Sequence, residues 1–132
     1  MLHETRNYIE DNFEIERALT GHLIYQKKFS GYWKIVLAIS LNWVDIMMDR
    51  MFEKYMLNIS DVNLSKKVLR LYAIYGKKYS RLLCTQKIKP KRLNAKEFAI
   101  LVDKVRDMDA NFATDMKKLL TEYRANKVNE DF

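Results

Sequence analysis

The chain has 132 residues, 48% hydrophobic and 31% charged, with 24 Lys/Arg against 17 Asp/Glu and a formal net charge of +7. That is the length and balance of one globular domain, and it excludes a disordered or low-complexity chain. A single cysteine, Cys84, and two histidines, His3 and His22, exclude an internal disulfide and a Cys/His metal cluster, and they suit a reducing, cytoplasmic setting.

The opening, "MLHETRNYIEDNFE", is polar and acidic, unlike a secretory signal. Ile9, Phe13, Leu19 and Leu23 fall near helical spacing and predict a first helix from Thr5 to Lys28, broken by Ser30-Gly31. The longest apolar stretch, "YWKIVLAISLNWVDIMM" (32–48), is interrupted by Lys34, Asn42 and Asp45, too often for a membrane span. At helical period Lys34, Asn42, Asp45, Asp49 and Glu53 form one narrow stripe, predicting a central second helix from Tyr32 to Met56. Its methionines are expected to fill gaps in the core. Its remaining apolar surface (Trp33, Trp43, Ile46, Phe52) exceeds what one small bundle buries and suggests a homo-oligomer. "NISDVN" (58–63) reads as a turn with several possible helix caps.

A third helix, about 63 to 84, is the cleanest element. Leu64, Val68, Leu71, Tyr72, Tyr75, Tyr79 and Leu82 recur at intervals of three and four, with Lys66, Arg70, Lys77 and Arg81 on the opposite side. Next comes the basic loop "KIKPKR" (87–92), where Pro90 forbids continuation of the third helix. In "LNAKEF" (93–98), Asn94 is an N-cap, Glu97 completes a capping box, and Leu93 and Phe98 form a hydrophobic staple. The fourth helix then buries Phe98, Leu101, Val105, Met108, Phe112, Met116, Leu119 and Tyr123, and ends near Arg124. Only three Gly and one Pro punctuate the chain. The expected fold is an all-α, antiparallel up-down-up-down four-helix bundle over residues 1–124, with a frayed tail at 125–132.

No catalytic set assembles from these elements, so a non-enzymatic protein without a cofactor is expected. Arg17 and His22 match the Arg-x4-His spacing of a helical RNase family, but Ala18 stands where that family has a polar residue. Asp45 and Asp49 lie one helical turn apart without a further Glu-x-x-His element to complete a metal site. Cys84 has basic neighbours in Arg81 and Lys87 and no base partner, which makes it an inert thiol.

The charge distribution is the informative feature. Residues 1–62 carry 7 basic and 9 acidic side chains, whereas residues 63–132 carry 17 and 8. Between Val62 and Lys96 there are eleven Lys/Arg and no Asp or Glu. Exposed helix faces ordinarily mix signs, so an acid-free run of this length points to a polyanionic partner. The candidate RNA- or DNA-binding residues are Lys66, Lys67, Arg70, Lys77, Lys78, Arg81, Lys87, Lys89, Lys91 and Arg92. Binding through phosphates would be non-sequence-specific and steeply salt dependent. Tyr72, Tyr75 and Tyr79 interleave with these charges, but their helical phase turns them to the core and away from bases. A membrane surface is the poorer partner, because the bundle needs the apolar face that lipid would take. The alternative is a protein-interaction subunit or inhibitor, encoded by a phage or mobile element, that occupies a nucleic-acid path on a larger machine.

With "KKVLRLYAIYGKKYSRL", Lys89-Pro90 and the capped start after it, and "EFAILVDKVRDMDANF", residues 64–123 resemble the four-helix family that includes the accessory variability proteins of diversity-generating retroelements and the proteins encoded in 23S rRNA intervening sequences. In that last segment Met108-x-Ala110-x-Phe112 is similar to the family's apolar-x-Gly-x-Trp feature, with Ala110 and Phe112 replacing the Gly and Trp. The resemblance implies a bundle assembled into a small ring, often a pentamer, that binds nucleic acid and docks a reverse transcriptase. The residues it carries across are Lys66, Arg70, Lys77, Lys78 and Arg81.

Overall fold

Two of the three glycines, Gly21 (φ +79°) and Gly31 (φ +97°), take the left-handed backbone conformation that side chains with a Cβ resist. In the computed structural model, which describes residues 1–51, 61–83 and 87–130, both lie in reversals between extended strands. A short helix α1 (His3–Asn12) is followed by β1 (Glu14–Leu19), β2 (His22–Lys28), β3 (Trp33–Ser40) and β4 (Val44–Arg50). The strands form one antiparallel sheet in the order β1-β2-β3-β4. Two long helices complete the fold, α2 (Val62–Leu83) and α3 (Ala95–Glu130), with a 3₁₀ turn at Pro90–Arg92 between them.

The all-α four-helix bundle is therefore not the fold. The helix expected from Thr5 to Lys28 stops at Asn12, and the remainder is the β1–β2 hairpin, closed by Thr20-Gly21. The helix expected from Tyr32 to Met56 is instead the β3–β4 hairpin as far as Arg50; Phe52 to Met56 lie outside the described residues.

The physical cause of that misreading is an apolar run with no single period. Trp33, Ile35 and Leu37 face the core, but the alternate positions Val36 and Ala38 are also apolar, so the period-2 signature of a strand is masked. The apparent polar stripe has a strand explanation as well, because a spacing of four is an even number. Asp45 and Asp49 stand on one face of β4, opposite Ala38 and Lys34 of β3. The turn between these strands contains neither Gly nor Pro. It is closed by Ser40, whose backbone N–H donates to the Trp43 carbonyl at 2.9 Å and whose hydroxyl accepts from the Trp43 N–H at 3.1 Å.

The inner face of the sheet is covered by helices. Trp33 is the centre of the contact, with ring centroids 5.4 Å from Tyr72, 4.9 Å from Tyr79 and 5.8 Å from Phe112. Register places Leu37 against Ile46 and Ile39 against Val44 on that same face. Helix α1 closes one side, where Phe13 stacks on Phe98 and the Thr5 hydroxyl donates to the Leu93 carbonyl at 2.6 Å.

Both helices expected in the second half form, although α3 buries Val102 and Asp109 in place of Leu101 and Met108, which are half-buried. Leu64, Val68, Tyr72, Tyr75, Tyr79 and Leu83 are the buried residues of α2. Asp61 caps that helix by accepting from the Leu64 N–H at 3.0 Å, and it also accepts from the Tyr123 hydroxyl of α3 at 3.1 Å. Asn94 caps α3 through the Lys96 and Glu97 N–H groups, and Leu93 and Phe98 are both buried. Helix α3 continues to Glu130, past the end expected at Arg124.

Candidate nucleic-acid interface

The phase of α2 decides where its charge goes. With six side chains held in the core, Lys66, Lys67, Arg70, Lys77, Lys78 and Arg81 are all exposed, and so are Lys87, Lys89, Lys91 and Arg92 after it. Along the axis, Lys66 to Arg81 span roughly 22 Å at the helical rise per residue. Lys78 lies 4.7 Å from the centroid of the Tyr75 ring, a cation–π contact that leaves its charge at the surface.

The two basic segments share one edge of the sheet. Helix α2 runs beside β4, with the Arg50 guanidinium 5.5 Å from the centre of the Tyr72 ring. Further along, Val44 and Ile88 exchange backbone hydrogen bonds of 2.8 and 3.0 Å, so the segment after α2 lies against the start of β4. The positive surface therefore extends from Lys66 down α2 and on into residues 87–92. Among the described residues, none of Lys66, Lys67, Arg70, Lys77, Lys78, Lys87, Lys89, Lys91 and Arg92 forms an ion pair; the pairs present are Lys34–Glu16 and Arg106–Asp103.

The two flanks of α2 differ. Toward α3, a groove of about 340 Å³ holds Lys67 and Arg70 together with Asp115, Lys118 and Glu122, so the signs are mixed there. Toward β4, a groove of about 640 Å³ brings Lys77 and Arg81 together with Arg50 and a single carboxylate, Asp49. Arg50 comes from the acidic half of the chain, and sequence reasoning missed it. Its only sequence signal is its position at the end of an apolar run whose polar spacing also fits a helix.

No protein-family model, curated protein or solved structure matches this sequence. The four-helix fold implied by the family resemblance is not the fold of this chain, since residues 14–50 form a sheet.

The remaining candidates are dispersed. Arg17 and His22 sit on the two strands of the β1–β2 hairpin, across from Ile24 and Leu19 respectively, and are not on a helix. Asp45 and Asp49 are on the outer face of β4, and no group of three metal-ligating side chains occurs among the described residues. Cys84 lies outside the described residues. No helix among the described residues is long and apolar enough to cross a membrane. Of the apolar residues expected to be in surplus, Trp33 and Ile46 are core residues and Trp43 is exposed.

Proposed function

We propose that this protein is a non-enzymatic, cytoplasmic nucleic-acid-binding protein that contacts RNA or DNA through α2 and the 87–92 segment, without sequence specificity. The observation that carries the reading is the line of exposed cations on α2 and the 87–92 segment, of which Lys66, Lys67, Arg70, Lys77, Lys78, Lys87, Lys89, Lys91 and Arg92 form no ion pair among the described residues. Mutual repulsion among them is offset most simply by phosphates, and release of the phosphates' counterions supplies the binding free energy.

The test is a titration of single-stranded and structured RNA at two salt concentrations. Binding that weakens steeply with salt supports the reading; binding that is absent, or indifferent to salt, ends it. The triple variant Lys77→Glu, Lys78→Glu, Arg81→Glu should abolish binding while helix content and melting stay near those of the parent, because all three side chains are exposed.

A further inference from the structure

The tyrosines of α2 are buried and cannot receive bases: Tyr72 and Tyr79 are fully inaccessible and Tyr75 is 5% exposed. One large aromatic side chain does reach solvent beside the basic segment. Trp43 is 41% exposed, in contrast to Trp33 at 2%. Its backbone is held by Ser40 through hydrogen bonds of 2.9 to 3.1 Å, which fixes it at the end of the β3–β4 turn.

The Val44–Ile88 bridge is antiparallel. It places Trp43 beside Lys89 and Asp45 beside Lys87 as cross-strand neighbours. Val44 is fully buried and Ile88 packs against the core. By strand alternation, the flanking Trp43, Asp45, Lys87 and Lys89 side chains lie on the other side. Lys91 and Arg92 follow at once, both exposed. An indole with a solvent-open surface thus stands across from Lys89, on a segment pinned by two backbone hydrogen bonds that also carries Lys87, Lys91 and Arg92.

We infer that Trp43 is a base-stacking platform and that the preferred ligand is single-stranded nucleic acid, or an unpaired stretch of RNA. The inference rests on the proposed function and deepens it. Duplex phosphates could meet the cations of α2, but a paired and stacked base cannot leave its neighbours to lie on an indole without the cost of unstacking. A single strand offers both groups at once, phosphates to Lys87, Lys89, Lys91 and Arg92 and a free base face to Trp43. Charge complementarity favours this ligand over an apolar protein surface, because Lys89 is the cross-strand neighbour of Trp43 and Lys87, Lys91 and Arg92 belong to the same segment.

The experiment compares a short oligouridine with a duplex of equal length, using the full chain and the variants Trp43→Ala and Trp43→Phe. Oligouridine should quench tryptophan fluorescence in the parent. Trp43→Ala should weaken oligouridine binding by about 5- to 150-fold, the range that stacking of one base supports. Trp43→Phe should retain most of the affinity, and duplex binding should not change in either variant. If Trp43→Ala binds oligouridine as the parent does, the stacking inference is overturned while the cationic surface stands. If it instead changes only self-association in sedimentation, Trp43 is a protein contact and the inference is again overturned. If neither nucleic acid binds at any salt, the proposed function fails first, and this inference with it.

Discussion

Val44 and Ile88 are joined by two backbone hydrogen bonds, 2.8 Å from the Val44 N–H and 3.0 Å from the Ile88 N–H. This pairing holds a basic segment against a sheet edge and supplies the order that a string of lysines lacks by itself. Proline at position 88 has no N–H to donate and should break the pairing. Ile88→Pro is expected to weaken RNA binding and lower its salt dependence, because Lys87 and Lys89 would no longer be held beside Trp43. Circular dichroism should show α2 and α3 intact. Unchanged affinity in this variant would show that residues 87–92 need no fixed register.

Phe112 carries the aromatic core. It is fully buried and meets Tyr32, Trp33, Tyr72 and Tyr75, with centroid separations of 4.9 to 5.8 Å. It joins the sheet, α2 and α3, so a cavity at this position cannot collapse by moving one element alone. Phe112→Ala should cost about 3–5 kcal/mol of stability, measured by urea unfolding. A loss below about 1 kcal/mol would mean that the core repacks around the gap.

Asp109 is a carboxylate in the core, 3% exposed. Its Oδ2 accepts from the Ser30 N–H at 2.9 Å, which ties α3 to the β2–β3 turn, while Oδ1 has no hydrogen-bond partner among the described residues. Burial pushes this carboxyl above its ordinary value, against the opposing effect of the Ser30 hydrogen bond. The folded state thus keeps a proton that the unfolded chain releases near 3.8. Stability from this group is complete below the unfolded value and declines as pH rises through the folded one. The neighbouring Tyr79 hydroxyl stays neutral over that window, its own titration driven upward by burial and by Asp109. Asp109→Asn can keep the Ser30 contact without the charge. It should therefore melt at a higher temperature than the parent at neutral pH, with the difference shrinking in acid. Parallel melting curves across the pH range would contradict this account.

The Tyr75 hydroxyl donates to the Asp115 carboxylate at 2.6 Å, joining α2 to α3. Burial, aided by this hydrogen bond and the Asp115 charge, pushes the Tyr75 phenol up to about 12. Asp115 itself is exposed, which screens the interaction. Tyr75→Phe should cost about 1 kcal/mol and remove one late-titrating phenol from an alkaline absorbance titration. Loss of a phenol that titrates near the ordinary 10.0 instead would show that Tyr75 ionises like a surface tyrosine.

Sequence by itself determined the second half of the protein. The intervals of three and four from Leu64 to Leu82 specify a helix with one buried face and one cationic face. Asn94, with Leu93 and Phe98 around it, starts α3 where its N-cap signal places the start. Such signals are local: a period, a cap and a proline act within one or two turns. The first half had no comparable signal. From Trp33 to Met48 the outer face mixes Val36, Ala38 and Met47 with Lys34 and Asp45, so the residues fit a buried helix as well as a hairpin, and only pairing with β2 and cover by α2 and α3 select the strands. Tertiary structure also decided what the charge keeps company with. Arg50 and Trp43, separated from α2 in sequence, reach the basic surface through the packing of α2 on β4 and the bridge from Val44 to Ile88, contacts between residues far apart in the chain that no periodicity encodes.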